Sequence, residues 1–214
     1  MKEKLDTEIL LKPFKDFYFK YKNWILGVTV IVVLVVSLSV LTVVRLKQTR
    51  KYVFERISMA EGYLYQKNFT EGYKILDEII TRYKNSKYGG YAMYIKASYL
   101  YENGDYNSAL QICKDILKIK KPKSVIVPAS YMLGICYMSV KDYDNAIKVF
   151  KEITEKFADS FYTPRVYEVL AMCYEIVGNN SEALKIYEKM NTLYPNTYWS
   201  DLAQKKLAEI EGEK

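Results

Sequence analysis

The sequence predicts an all-α protein: one apolar helix long enough to cross a membrane, followed by a solenoid of four helix-turn-helix units and a C-terminal capping helix. Three observations carry this. The 21 residues from Trp24 to Val44 include no charged side chain. Small residues recur every 37 positions from Ala60 onward. No alternation of apolar and polar residues runs far enough to specify a strand.

The apolar stretch comes first. At about 1.5 Å of rise per residue it matches a hydrocarbon core of about 30 Å. Phe17, Tyr18, Tyr21 and Trp24 form an aromatic belt at its entry, and Lys22, Arg45 and Lys47 bracket it with positive charge, so these seven residues are the expected membrane interface. The run exceeds the roughly 7 to 15 apolar residues of a cleaved signal, and no small-x-small cleavage pattern follows it. Residues 24–44 are therefore expected to persist as a single-pass anchor. Residues 1–23 mix Ile9, Leu10, Leu11 and Phe14 with lysines and acids, and Pro13 stands where a second short helix would start. That tail reads either as an interfacial amphipathic helix or as a solvated extension of the anchor. Residues 45–52 form a basic juxtamembrane segment. No Gly or Pro occurs between Val28 and Glu61, which predicts that the anchor helix continues into the first repeat.

The formal charge of +7 belongs to the neighbourhood of the anchor. Residues 1–23 carry six Lys against four acids, and residues 45–56 carry five Lys or Arg against one Glu. The rest of the chain holds 21 basic and 20 acidic residues, so no basic surface for nucleic acid is expected there.

The repeat is legible in pairs of small residues. Ala60, Ala97, Gly134 and Ala171 form one series, and Gly72, Ala109, Ala146 and Ala183 form a second, twelve positions later in each unit. Small residues at that spacing suit the crossing point of two paired helices, where a larger side chain would force the axes apart. Turn signals lie between the two series: Lys67-Asn68-Phe69, Asn103-Gly104-Asp105-Tyr106, Lys141-Asp142-Tyr143-Asp144 and Gly178-Asn179-Asn180. Leu76, Cys113, Phe150 and Tyr187, then Ile79, Ile116, Ile153 and Met190, complete an apolar stripe in the second helix of each unit. The units run over residues 53–88, 90–125, 127–162 and 164–199. Residues 200–214 close the array as a capping helix and tail, with Ser200 as the expected N-cap and Leu202, Ala203, Leu207 and Ile210 facing inward.

These units resemble tetratricopeptide repeats (TPR), in the small residue of the first helix, the Ala of the second, the aromatic after it and Pro195 at the end of the fourth unit. The period exceeds the family's 34 residues by three. The extra residues fall in recurring linkers: Asn85-Ser86-Lys87-Tyr88, Asp159-Ser160-Phe161-Tyr162 and Asn196-Thr197-Tyr198-Trp199. Such a linker resembles that of bacterial envelope TPR proteins of the CpoB and BamD types. The order of tail, anchor and repeats resembles the ancillary SecYEG translocon subunit family (YfgM-like). The resemblance implies a scaffold that binds protein partners, held by the lipid bilayer of the bacterial inner membrane with its repeats in the periplasm beside the translocon. The alternative is a periplasmic holdase for exported chains.

The same resemblance implies where a partner would bind. The first helices of TPR units line a concave groove, and their outward positions in this chain are Phe54, Ile57 and Tyr65, then Tyr91, Tyr94 and Tyr101, then Tyr131, Ile135 and Met138. Tyrosine offers broad apolar area with a polar tip at low entropic cost, a composition suited to gripping a peptide or helix. The alternative role for each of these rings is to pad the packing between helices.

Chemistry is sparsely signalled. The chain has no histidine, which removes Ser-His and Cys-His catalysis and histidine metal sites. Cys113, Cys136 and Cys173 form no CxxC pair and read as small packing residues. Asp142 and Asp144 read as a turn and helix cap, Gly89-Gly90 as a flexible joint, and the Lys118 to Lys123 cluster as a solvated loop. The expectation is a non-enzyme with no metal, no cofactor and no small-molecule substrate.

Overall fold

The computed structural model describes the backbone of residues 2–212 and the side chains of residues 12–210 and 212; the side chains of Ile9, Leu10 and Leu11 in the amphipathic tail lie outside the described residues. The chain divides into two units, Met1–Phe54 and Glu55–Lys214. Among the described residues every regular element is helical.

Each repeat turns on the same two positions. Lys67, Gly104, Lys141 and Gly178 all adopt the left-handed conformation, with φ of 61°, 82°, 63° and 76°. The residue that follows each one is an N-cap. Asn68, Asp105, Asp142 and Asn179 accept the backbone N–H three residues on, at 3.4, 3.1, 3.3 and 3.2 Å. The left-handed residue ends one helix and the side-chain oxygen starts the next. The result is α1 (Lys2–Tyr65) turning into α2 (Phe69–Arg82), α3 (Lys87–Glu102) into α4 (Tyr106–Ile119), α5 (Ile126–Ser139) into α6 (Tyr143–Lys156), and α7 (Thr163–Ile176) into α8 (Asn180–Leu193), with α9 (Tyr198–Gly212) last. Asp142 is thus a cap and Asp144 lies in the first turn of α6.

Both series of small residues are buried where paired helices meet. A Cβ added at Gly134 would strike the Phe150 ring, and one at Gly72 would lie 2.5 Å from Leu64 Cγ. Around these crossings Leu76, Cys113, Phe150, Ile116, Leu170 and Met190 lose all contact with solvent. The three cysteines are free and buried, which pushes their thiols up to about 12 for Cys113 and about 11 for Cys136 and Cys173. They stay neutral at physiological pH and serve as packing residues.

The junctions between units follow no single pattern. Ser86 caps α3 by accepting the N–H groups of Tyr88 and Gly89 at 3.1 and 3.3 Å. Gly89 and Gly90 then lie buried in the first turn of α3, so the expected flexible joint is instead a point of close approach. A Cβ on Gly89 would collide with the Tyr83 carbonyl oxygen, and one on Gly90 with the Lys121 carbonyl oxygen. The next junction ends α4 at left-handed Lys120 and passes through a short 3-10 turn, Lys123–Val125. At the third, buried Thr163 donates from Oγ1 to the Phe157 carbonyl at 2.7 Å. At the fourth, α9 begins at Tyr198, two residues before the expected cap. Ser200 is its third residue; its Oγ accepts the Thr197 N–H at 3.2 Å and donates to the Thr197 carbonyl at 2.9 Å. Thr197 occupies the capping position because its carbonyl accepts the Ser200 and Asp201 N–H groups that open the helix.

In the N-terminal unit, Pro13 lies inside α1 and starts no second helix. The helix runs through it at the expense of the one hydrogen bond that proline cannot donate. The apolar stretch meets the length and composition of a membrane-crossing helix, and its most apolar part is wholly unburied within the molecule. Its hydroxyls are satisfied internally: Thr29, Ser39 and Thr42 donate to the carbonyls four residues back at 2.8, 2.8 and 2.7 Å. A helix that satisfies its own polar groups while presenting apolar side chains outward is compatible with hydrocarbon.

Candidate protein-binding surface

Two layers follow from which helices touch. From α2 onward each helix packs on the next in sequence, and α3 also reaches α5 as α7 reaches α9. Among the described residues no two second helices of successive units meet as extensively. The contacts that skip a helix, α3 to α5 and α7 to α9, lie on the first-helix side of the array.

Positions on that layer differ in depth. Tyr65 stands 86% exposed and Tyr91 36%. Tyr94, Tyr101, Tyr131, Ile135 and Met138 are partly buried. Tyr131, Ile135 and Met138 pack against the core around Phe150 and Leu170, and Tyr101 packs on Leu100, Ala109 and Cys136. Ile57 is a core residue, only 3% exposed, and is removed from the surface set. Helical period places it on the right face of α1, but the depth of that face depends on what packs there.

The structure adds residues that the sequence reading stopped short of. Met172 and Ile176 on α7 are exposed, and each lies 37 residues beyond an α5 position, Ile135 and Ser139. Tyr162 joins the rings of successive units. Tyr94 lies near it, and burial followed by that neighbouring phenol pushes the Tyr94 hydroxyl above its ordinary range. The Tyr131 and Tyr162 rings lie 5.7 Å apart, and Arg165 Nε donates to the Tyr131 hydroxyl at 3.5 Å. Tyr94, Tyr162, Tyr131 and Arg165 thus cross three repeat units as one polar-tipped aromatic line.

The acids nearest this line are engaged. Glu168 accepts from Arg165 Nη1 at 2.6 Å, and Glu175 accepts from the Tyr187 hydroxyl and pairs with Lys206 at 3.5 Å. The surface therefore offers rings and thioether more than free charge. Among the described residues no group of three or more His, Cys, Asp or Glu could hold a metal ion.

In the N-terminal unit, the expected interface residues Phe17, Tyr18, Tyr21, Lys22, Trp24, Arg45 and Lys47 are all exposed. The Phe17 and Tyr21 rings meet at a tilt with centroids 4.8 Å apart, and the Lys20 ammonium lies 5.4 Å from the Tyr21 ring.

A family model described as "Anaphase-promoting complex, cyclosome, subunit 3" matches residues 87–153, and a tetratricopeptide repeat model matches residues 164–197. The array has the fold of a TPR-like solenoid. No curated protein matches the chain in sequence. Among solved structures, MamA is similar at 15% identity and a TM-score of 0.59, over 72% of this chain and 84% of that one. A putative kinesin light chain with TPR-like repeats from Podosopora anserina aligns at 13% identity and a TM-score of 0.61, over 76% and 88%. The Yersinia enterocolitica type III secretion chaperone SycD, in complex with a peptide of the translocator YopD, aligns at 20% identity and a TM-score of 0.50, over 56% and 91%. At these identities the likeness is one of fold.

Proposed function

We propose that this chain is a membrane-anchored TPR adaptor that binds a protein partner along the inner face of its first helices. The observation that carries the reading is the strip of accessible apolar and aromatic side chains there, Tyr91, Met172 and Ile176, flanking the ring line of Tyr94, Tyr131 and Tyr162. Exposed aromatic and thioether groups held on rigid helices are the kind of surface that anchors a peptide or helix. Arg165 and Glu168 occupy each other at the edge of the strip, so shape and apolar area, more than a charged clamp, would select the partner.

The anchor reading rests on the uncharged stretch and its belt of rings and cations. Placement in a bacterial inner membrane with the repeats outside the cytoplasm, and action near the Sec translocon, rest on the resemblance of the linkers and of the order of parts. A second reading, a holdase for exported chains, is supported by the likeness to a chaperone that holds a translocator peptide.

The test is partner capture with the full chain, comparing wild type with the double substitution Tyr91→Ala, Met172→Ala and with an outer-layer control, Lys185→Ala. The adaptor reading expects one stoichiometric partner, lost about tenfold with the double substitution and retained with the control. Many unrelated unfolded clients in place of one partner would favour the holdase. Equal capture by all three proteins would remove the strip from the account.

A further inference from the structure

At the junction of units two and three the packing opens into a cavity of ≈ 560 Å³, away from the aromatic strip. Its walls come from the end of α4, the start of α5 and the last turns of α6. Leu117, Ile126, Leu133, Val149, Ile153 and Phe157 make the interior apolar, and the polar groups of the lining are Lys120, Lys123, Lys156, Glu152 and Ser130.

These groups carry an unbalanced charge. Lys156 is paired with Glu152 at 2.7 Å. Lys120 and Lys123 form no ion pair among the described residues, and each is fixed by backbone, Lys120 as the left-handed end of α4 and Lys123 as the first residue of the 3-10 turn. The neighbouring Lys118 is occupied by Asp115 at 2.8 Å. Two cations thus stand at the lining of a hydrocarbon-walled space without a counter-charge.

We infer that this cavity binds a single-chain amphiphile with an anionic head, of the long-chain carboxylate class, its tail against Leu117, Val149 and Phe157 and its head on Lys120 and Lys123. The polar content of the wall selects against a peptide. An inserted backbone would bring an N–H and a C=O at every residue, and apart from the two lysines and the Lys156–Glu152 pair the lining offers only Ser130 to meet them. A hydrocarbon tail makes no such demand, and one carboxylate is matched by two ammonium groups.

The test uses the full chain in a polymer belt free of detergent, with a diazirine-bearing palmitate as probe, its fatty alcohol analogue as the neutral control, and adducts mapped by peptide mass spectrometry. The expected result is carboxylate adducts on residues 117–133 and 149–157, with labelling at least about tenfold stronger than by the alcohol, and a similar drop in Lys120→Gln, Lys123→Gln. Both lysines are exposed, so that double substitution leaves the helical array intact, which circular dichroism checks. Adducts confined to residues 24–44, equal labelling by acid and alcohol, or labelling of the cavity by an acidic apolar photopeptide and not by the fatty acid would each overturn the inference.

Discussion

The turns inside the repeats and the junctions between them are built on different principles. Four turns repeat one device: a left-handed residue at 67, 104, 141 and 178 and a capping Asn or Asp beside it. The junctions mix devices: at the first and third, Ser86 and Ser160 each accept the N–H two residues on, and Gly89 and Thr163 lie against the Tyr83 and Phe157 carbonyls; the second ends in a left-handed lysine and a 3-10 turn, and the fourth uses a reciprocal Thr197 and Ser200 contact. The turns are satisfied by their own neighbours in sequence, as are most junction hydrogen bonds, whereas the first junction is also shaped by a residue one unit away, the Lys121 carbonyl against Gly90. A turn should therefore tolerate local repair, while the first junction should fail when its distant contact is blocked.

The largest expected effect is at a junction. Gly90→Ala drives a Cβ into the Lys121 carbonyl oxygen, and backbone cannot rotate aside as a side chain can. Urea unfolding should show a loss of about 3 kcal/mol or more; a change under about 1 kcal/mol would mean that the junction is pliant and would erase the contrast. Gly104→Ala should cost about 1 to 2 kcal/mol through conformation alone, because nothing stands within 4 Å of the added Cβ and only the φ of 82° opposes it. Asp142→Ala should cost about 1 kcal/mol by removing the cap on the Asn145 N–H, with Asp142→Asn or Asp142→Ser restoring most of it. The smallest effect has the opposite sign. Lys141→Gly relieves a left-handed lysine and should raise stability by up to about 1 kcal/mol, less the entropy glycine loses on folding. A loss in that variant would show that the Lys141 side chain contributes more than its backbone strain takes away.

What could be read from the sequence divides along the same line. The small residues at 60, 97, 134 and 171, the caps and the second-helix stripe each depend on spacing within one unit, and the structure uses them as that spacing requires. Gly89 and Gly90 looked like a joint because the carbonyl that confines Gly90 belongs to Lys121, thirty-one positions away. Ser200 looked like a cap because a serine ahead of an apolar helix usually is one; the Thr197 carbonyl reached the helix first. On the candidate surface, the period of 37 assigned the face but not its depth. Ile57 sank into the core and Tyr131 settled against Phe150, at 6.2 Å between rings, while Met172 and Ile176 remained accessible one unit beyond where the projection ended.

The central claim, that the first-helix layer is the docking side of the array, is tested most directly by placing a photoreactive phenylalanine derivative singly at Tyr91, Met172 and Ile176 on that layer and at Lys185 and Leu193 on α8, in the full chain in native membranes. All five positions except Lys185 already carry large apolar or aromatic side chains, and all five are exposed. The account predicts one discrete crosslinked partner from the three first-helix positions and none from the two on α8. Adducts from α8 alone, or no discrete adduct from Tyr91, Met172 and Ile176, would contradict it.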